Sequence, residues 1–266
     1  MQRSYFILSS PTLSHARRFS MGHAKRMLNT SRQAWGPSRQ LYETHIPISF
    51  LQRSVLAAGS AVAALRDPMR GDMVAALGET TGSIFLRRIR DQMLQSTTGR
   101  RILRERPTIH TSTIAFDQLR QTCAPGTFGA TYIAWLDAQG VTPDTRCPVQ
   151  FVDDEELAYV MKRYREIHDF FHTLTGLGVS VEEEIALKWF EWAQTGLPMT
   201  GLSSLFGPLR LTLAERHRLF SVYVPWAIQC GANASPLMNV YYEEEFHTPI
   251  EKLREQLGIT VPPSIE

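Results

Sequence analysis

Residues 153–175 and 181–195 encode two successive helices, and the polar side chains they carry on their buried faces constrain everything around them. The run Asp153–Glu156 sets an aspartate three residues ahead of a glutamate, the pattern of a boxed helix start. Behind it Leu157, Val160/Met161, Tyr164, His168 and Phe171/His172 recur at helical spacing. The two histidines continue the stripe that faces the core, one turn apart, and Asp169 shares that edge three residues before His172. Gly176 or Gly178 offers the left-handed end such a helix needs. Ser180 with Glu183 boxes the next start, which runs through Ile185, Trp189 and Trp192. His172 lies four residues before Gly176 and Glu184 four after Ser180, so in an antiparallel hairpin both stand about one turn from the bend.

Two imidazoles and two carboxylates at one level suit a divalent ion. Mixed nitrogen and oxygen ligation fits Zn2+, with Mn2+, Fe2+ and Co2+ as alternatives. An unpaired Asp and Glu on an apolar face would be costly, which favours a bound cation. From the pattern alone a second reading stays open, in which His168, Asp169, His172 and Glu184 are hydrogen-bonded core residues without an ion.

Helical spacing predicts further helices near 49–65, 68–77, 81–95, 129–138, 212–230 and 236–257, the last broken near Pro249. No run shows the repeated apolar/polar alternation of a strand. The predicted fold is all-α, a single helical domain of about eight helices with the metal site on a helical hairpin. Residues 104–127, 140–151 and 196–210 read as irregular, and the last is apolar yet rich in Gly and Pro. Either the protein's own core covers it or a lipid surface does. The helix at 49–65 carries Ala57, Ala58, Gly59, Ser60, Ala61, Ala63 and Ala64, small enough for a second helix or a long flat ligand to approach.

Seven of the 28 basic residues fall in the first forty positions, where there is no acid and Ser recurs seven times. That is the composition of a mitochondrial transit peptide, assigned to residues 1–40, with residues 41–266 as the helical domain. The remainder holds 21 basic against 26 acidic residues, which excludes a basic footprint for nucleic acid. Cys123, Cys147 and Cys230 form no C-x-x-C pair and suit a reducing compartment. The longest apolar stretch, Val55–Leu65, is about half the length of a membrane span, so any membrane contact is expected to be peripheral.

The H-D-x-x-H run His168–His172, followed after eleven residues by Glu184, resembles the signature of the ubiquinone biosynthesis protein 4 family. Val55–Ala61, Gly78–Gly82, Phe151–Tyr159, Lys188–Glu191 and Gln194–Met199 extend the likeness over about residues 42–263. The resemblance implies Zn2+ at the four ligand positions and a place on the matrix face of the mitochondrial inner membrane, among the other proteins of the coenzyme Q synthesis complex. It also implies a carbon–carbon lyase that removes the C1 carboxylate of a polyprenylated 4-hydroxybenzoate lipid, 4-hydroxy-3-methoxy-5-polyprenylbenzoate. Glu191, two turns after Glu184, is the candidate for a proton relay or for support behind the ligands. The alternatives are oxidative C1 decarboxylation–hydroxylation, which needs a redox-active metal, and a non-catalytic lipid-binding scaffold. A metal phosphohydrolase needs more His and Asp ligands, and His110, His217 and His247 lack adjacent acids in a comparable pattern.

Overall fold

Asp154 opens the helix that leads to the histidines: its side chain accepts the backbone N–H of Leu157. The expected cap, Asp153, faces the other way and pairs with Arg53 and His45, tying the N-terminal segment to the body. The computed structural model describes residues 39–67 and 70–263, and the transit-peptide assignment falls almost wholly on residues outside these. The described chain is all-α. Its helices are α1 (Phe50–Arg66), α2 (Gly71–Thr81), α3 (Ser83–Gln95), α4 (Thr97–Glu105), α5 (Phe116–Thr122), α6 (Phe128–Gln139), α7 (Glu155–Glu166), α8 (His168–Thr175), α9 (Val181–Thr195), α10 (Pro198–Phe206), α11 (Leu213–Arg218), α12 (Val224–Asn233) and α13 (Ile250–Leu257). Extended pairing among the described residues is a single antiparallel bridge between Thr127 and Pro249.

The elements are more numerous and shorter than about eight, for local reasons. The expected helix 153–175 divides at Ile167, whose ψ of 0° leaves the helical range, so the histidines belong to the separate short helix α8. The expected irregular segment 196–210 contains α10. Pro198 stands at its first turn, where a fixed φ and a missing N–H favour a helix start. Gly201 leaves no Cβ in the way of the Trp192 ring, which lies 3.0 Å from where that atom would be. The expected helix 212–230 becomes α11, a π-helical stretch Leu219–Tyr223 and α12. Pro225 has no N–H for the preceding turn, and the wider turn absorbs that loss. Most of the expected helix 236–257 is missing: short 3-10 turns at Leu237–Asn239 and Tyr242–Glu244 precede α13. Those turns send Leu237, Met238, Tyr242 and Phe246 into the core and bring Glu243 to within 2.5 Å of the fully buried Arg163.

On α1, Ser60 is buried and Ala57, Ala61 and Ala64 are half-buried, a spacing that makes one face, and α1 packs on α2. The small residues on that face thus serve helix packing. The opposite side leaves Phe50, Leu51, Val55 and Val62 exposed. No helix among the described residues is long and apolar enough to cross a membrane.

Helix α9 is the central strut and packs on α10 and α12. At Gly231 of α12 an added Cβ would lie 2.7 Å from the Phe190 carbonyl oxygen and 2.9 Å from Ala193 Cβ. Both obstacles sit on α9 and cannot rotate away. Gly231→Ala is expected to destabilise the fold by about 1–3 kcal/mol, lowering the melting temperature by roughly 2–12 °C. An unchanged melting curve would show that the two helices are not in close contact.

Helix α8 is buried on every side. One flank enters an aromatic cluster, where Phe170 packs against Tyr132, Tyr242 and Phe128 with ring centroids 4.6, 4.8 and 5.2 Å away. That packing fixes the rotation of α8 and with it the direction of His168 and His172.

Candidate metal centre

Across the turn between α8 and α9, His168, His172 and Glu184 converge, with one potential ligand atom from each within 4.8 Å of the others. Helix α9 supplies Glu184 because the Ser180–Glu183 box starts it where the sequence indicates, both reciprocal hydrogen bonds being present. The imidazole planes cross at 81° with centroids 4.8 Å apart. His172 Nε2 lies 3.2 Å from one Glu184 oxygen, and His168 Nε2 lies 3.9 Å from the other. Ligand atoms about 2.1 Å from a tetrahedral ion stand about 3.4 Å apart, so the spacing fits a zinc-sized cation.

The partners behind the rings decide which nitrogens face that space. His172 Nδ1 is 3.2 Å from the Leu177 carbonyl oxygen, which only accepts, so Nδ1 carries the proton and donates. His168 Nδ1 stands 2.5 Å from the Glu191 carboxylate, another acceptor, and 3.3 Å from the Lys188 ammonium; the carboxylate is the closer partner and itself takes a Lys188 proton at 2.8 Å, so Nδ1 keeps its proton. In the neutral rings both Nε2 atoms are then bare lone pairs aimed at a carboxylate. Acceptor against acceptor is repulsive, and a cation between them resolves the conflict. Burial and then the Lys188 charge hold the His168 pKa below its ordinary value against the pull of Glu191, which works against relief by protonation. Burial works to raise the Glu184 pKa, and the positive charge around it, on Lys188 and on either imidazole whenever that ring takes a second proton, brings it down to about 2. The carboxylate stays ionised at neutral pH, as a ligand must.

Glu191 is completely buried and receives three donors: His168, the Tyr164 hydroxyl at 2.7 Å and the Lys188 ammonium at 2.8 Å. Burial works to raise its pKa, but Lys188 and His168 hold it well below the usual carboxylate range. Of the two roles considered for Glu191, this arrangement fits support behind a ligand: a histidine whose far nitrogen is held by a carboxylate has its tautomer and direction set. Trp135 stacks on the other histidine, its ring 5.1 Å from that of His172.

Asp169 does not join the three-residue group. Its carboxylate, almost fully buried, pairs with Arg146 from the segment between α6 and α7. Of the four residues expected to converge, three do so, and the expectation did not include Arg146, Tyr164, Lys188 or Trp135. Tyr164 and Lys188 were within reach, since they stand four residues before His168 and three before Glu191 on the same helical faces. Arg146 lies in an irregular segment with no periodic signal to connect it to Asp169.

Residues 42–263 match the family description "coenzyme Q (ubiquinone) biosynthesis protein Coq4". Among similar proteins, the mitochondrial ubiquinone biosynthesis protein COQ4 of Laccaria bicolor is 53% identical over 222 residues, covering 84% of this chain and 74% of its own. The COQ4 homologs of Xenopus tropicalis and Bos taurus, also named mitochondrial, are each 53% identical, covering 85% and 84% of this chain and 80% and 84% of their own. The crystal structure of a candidate ubiquinone biosynthesis protein from Nostoc punctiforme has the same fold, with a TM-score of 0.62 at 19% identity over 77% of this chain and 97% of that one. This chain therefore belongs to the Coq4 family of coenzyme Q (ubiquinone) biosynthesis proteins.

Proposed function

We propose that this protein is a carboxy-lyase of ubiquinone biosynthesis, removing the C1 carboxylate of a polyprenylated 4-hydroxybenzoate intermediate at a divalent metal held by His168, His172 and Glu184. The observation that carries the reading is the pair of bare imidazole nitrogens facing an ionised carboxylate, a set of acceptors with no donor of its own. Zn2+ is the ion proposed, since two nitrogens and a carboxylate are ordinary zinc ligands and zinc takes four or five ligands, so three or four from the protein leave room for a substrate oxygen. Bound there, the metal supplies Lewis-acid polarisation of a carboxylate or phenolic oxygen. The Glu184 side chain is 35% exposed, so the group is reachable from outside.

When the bond to the carboxyl carbon breaks, its electron pair stays on C1 and carbon dioxide leaves, so C1 must take up a proton. Lys188, partly exposed and hydrogen-bonded to Glu191, is the proton carrier the geometry offers. Glu191 holds that ammonium and His168 in place. The test is turnover of a prenylated 4-hydroxy-3-methoxybenzoate by purified protein, with and without oxygen, metal content being measured on the same sample. Release of carbon dioxide and the C1–H phenol without oxygen is the expected result. Oxygen-dependent formation of a C1 hydroxyl would replace this reaction with the oxidative one. No turnover with metal bound would favour the scaffold.

The names of the relatives support a mitochondrial address, and the exposed apolar residues support peripheral contact with a lipid surface; the seat proposed is the matrix surface of the inner membrane, within a multi-protein complex of ubiquinone biosynthesis. Leu65 of α1 is exposed, as are Leu209 and Leu213. Arg210 donates to the backbone carbonyls at the end of α1, joining the two regions. Burying such side chains in the lipid interface is favourable by about 25 cal/mol per Å2. Val55→Asp with Leu209→Asp is expected to cut co-sedimentation with phosphatidylcholine–cardiolipin vesicles at least tenfold without changing the melting temperature. Undiminished binding would place the lipid contact elsewhere.

A further inference from the structure

Arg146 belongs to two places at once. It pairs with Asp169, the residue next to His168, and it also lines a cleft of about 630 Å3 with Arg106, His110, Lys162 and Glu166. The other basic residues there are held by acids away from the metal group: Arg106 by Glu155, Lys162 by Glu166 and Arg165 by Glu79. Arg146 alone among these four has a partner adjacent in sequence to a member of the His168–His172–Glu184 group. Its side chain is 34% exposed while that of Asp169 is 4% exposed, so a solute in the cleft can reach the guanidinium without reaching the carboxylate.

We infer that Asp169 is an exchangeable ligand controlled by Arg146: an aromatic carboxylate entering the cleft takes the guanidinium, and the freed Asp169 carboxylate joins His168, His172 and Glu184 on the cation. The inference rests on reading those three residues as a metal centre. A planar guanidinium receives a carboxylate through two parallel N–H donors, so an incoming acid can replace Asp169 like for like. Asp169, now without its counter-ion in a buried setting, gains by moving onto a cation. Binding of acid and of metal would then strengthen each other by the same factor, since coupling between two sites is reciprocal. Arg146 acts here as a positioning residue, through Asp169.

The test is calorimetric titration of chelator-stripped full-length protein with Zn2+, alone, with 4-hydroxybenzoate, and with phenol as the control lacking a carboxylate. The acid is expected to tighten Zn2+ binding about tenfold and phenol to leave it unchanged. Arg146→Gln should bind Zn2+ more tightly than the unsubstituted protein without acid, and the acid should then add nothing. Arg146→Lys, which keeps the charge and guards against a folding defect, should retain part of the acid effect. In Asp169→Asn neither the acid nor a second Arg146→Gln change should alter Zn2+ affinity. Stoichiometric Zn2+ with an acid effect that survives Arg146→Gln, or with no acid effect at all, overturns the inference and leaves the metal centre standing. Failure of the unsubstituted protein to bind Zn2+ removes the metal reading and this inference together.

Discussion

Glu184→Gln is expected to lose the divalent cation while keeping the fold, and the metal-free variant should melt at or above the temperature of the chelator-stripped unsubstituted protein. The direction follows from the tautomers. Leu177 and Glu191 fix the protons of His172 and His168 on Nδ1, leaving bare Nε2 atoms opposite the carboxylate. A neutral amide of the same shape can turn its NH2 toward His172, converting a contact of two acceptors at 3.2 Å into a hydrogen bond. The change removes the ligand charge that attracts the ion and the repulsion the ion would have relieved. Zn2+ affinity should fall by more than about 100-fold, beyond the range of changes behind a ligand. Addition of EDTA should lower the melting temperature of the unsubstituted protein and leave that of Glu184→Gln where it was. Unimpaired metal binding by Glu184→Gln would move the ion to other residues, and a collapse in stability would mean that the carboxylate is structural.

The parts of this site that the sequence carries are those written in helical spacing and helix starts. The i,i+4 interval between His168 and His172 survives the break at Ile167 because it lies wholly inside α8. Glu184 arrives at the right level because the cap at Ser180 fixes where α9 begins. Asp169 has the right spacing but answers to a loop residue, and its pairing with Arg146 depends on where the segment between α6 and α7 runs. The all-α class was legible for the same reason as the ligands, and several boundaries were not. Pro198 and Gly201 look like interruptions until a helix start and a Trp192 contact claim them. Residues 237–244 have enough apolar content for a helix, yet reaching the core and Arg163 together pulls them into short tight turns. Local propensity gave way there to tertiary demand.

Glu191→Leu carries the largest expected loss of stability, because its carboxylate completes a buried set of three donors. His168, Tyr164 and Lys188 all point at it, and it has no exposure to solvent. Leucine fills similar space but leaves an ammonium and a hydroxyl without an acceptor. Breaking a buried pair from one side costs about 3–5 kcal/mol, or a fall of roughly 6–20 °C in melting temperature for a chain of this size. His168 would lose the partner that fixes its tautomer, and metal affinity should drop about 10- to 100-fold. Glu191→Gln separates the two effects. It offers one acceptor oxygen where the carboxylate had two, so it should lose less stability than leucine. It no longer holds the charge that orients both His168 and Lys188, so the fall in metal affinity should be comparable. Calorimetric titration with Zn2+ beside a thermal melt of each variant measures both quantities. If Glu191→Leu melts normally, the buried network is not holding the fold; if both variants bind Zn2+ as tightly as the unsubstituted protein, Glu191 does not support the ligand. The contrast with Glu184→Gln gives the pair its force: the group in front of the histidines is expected to govern the ion with little effect on the fold, and the group behind them to govern both.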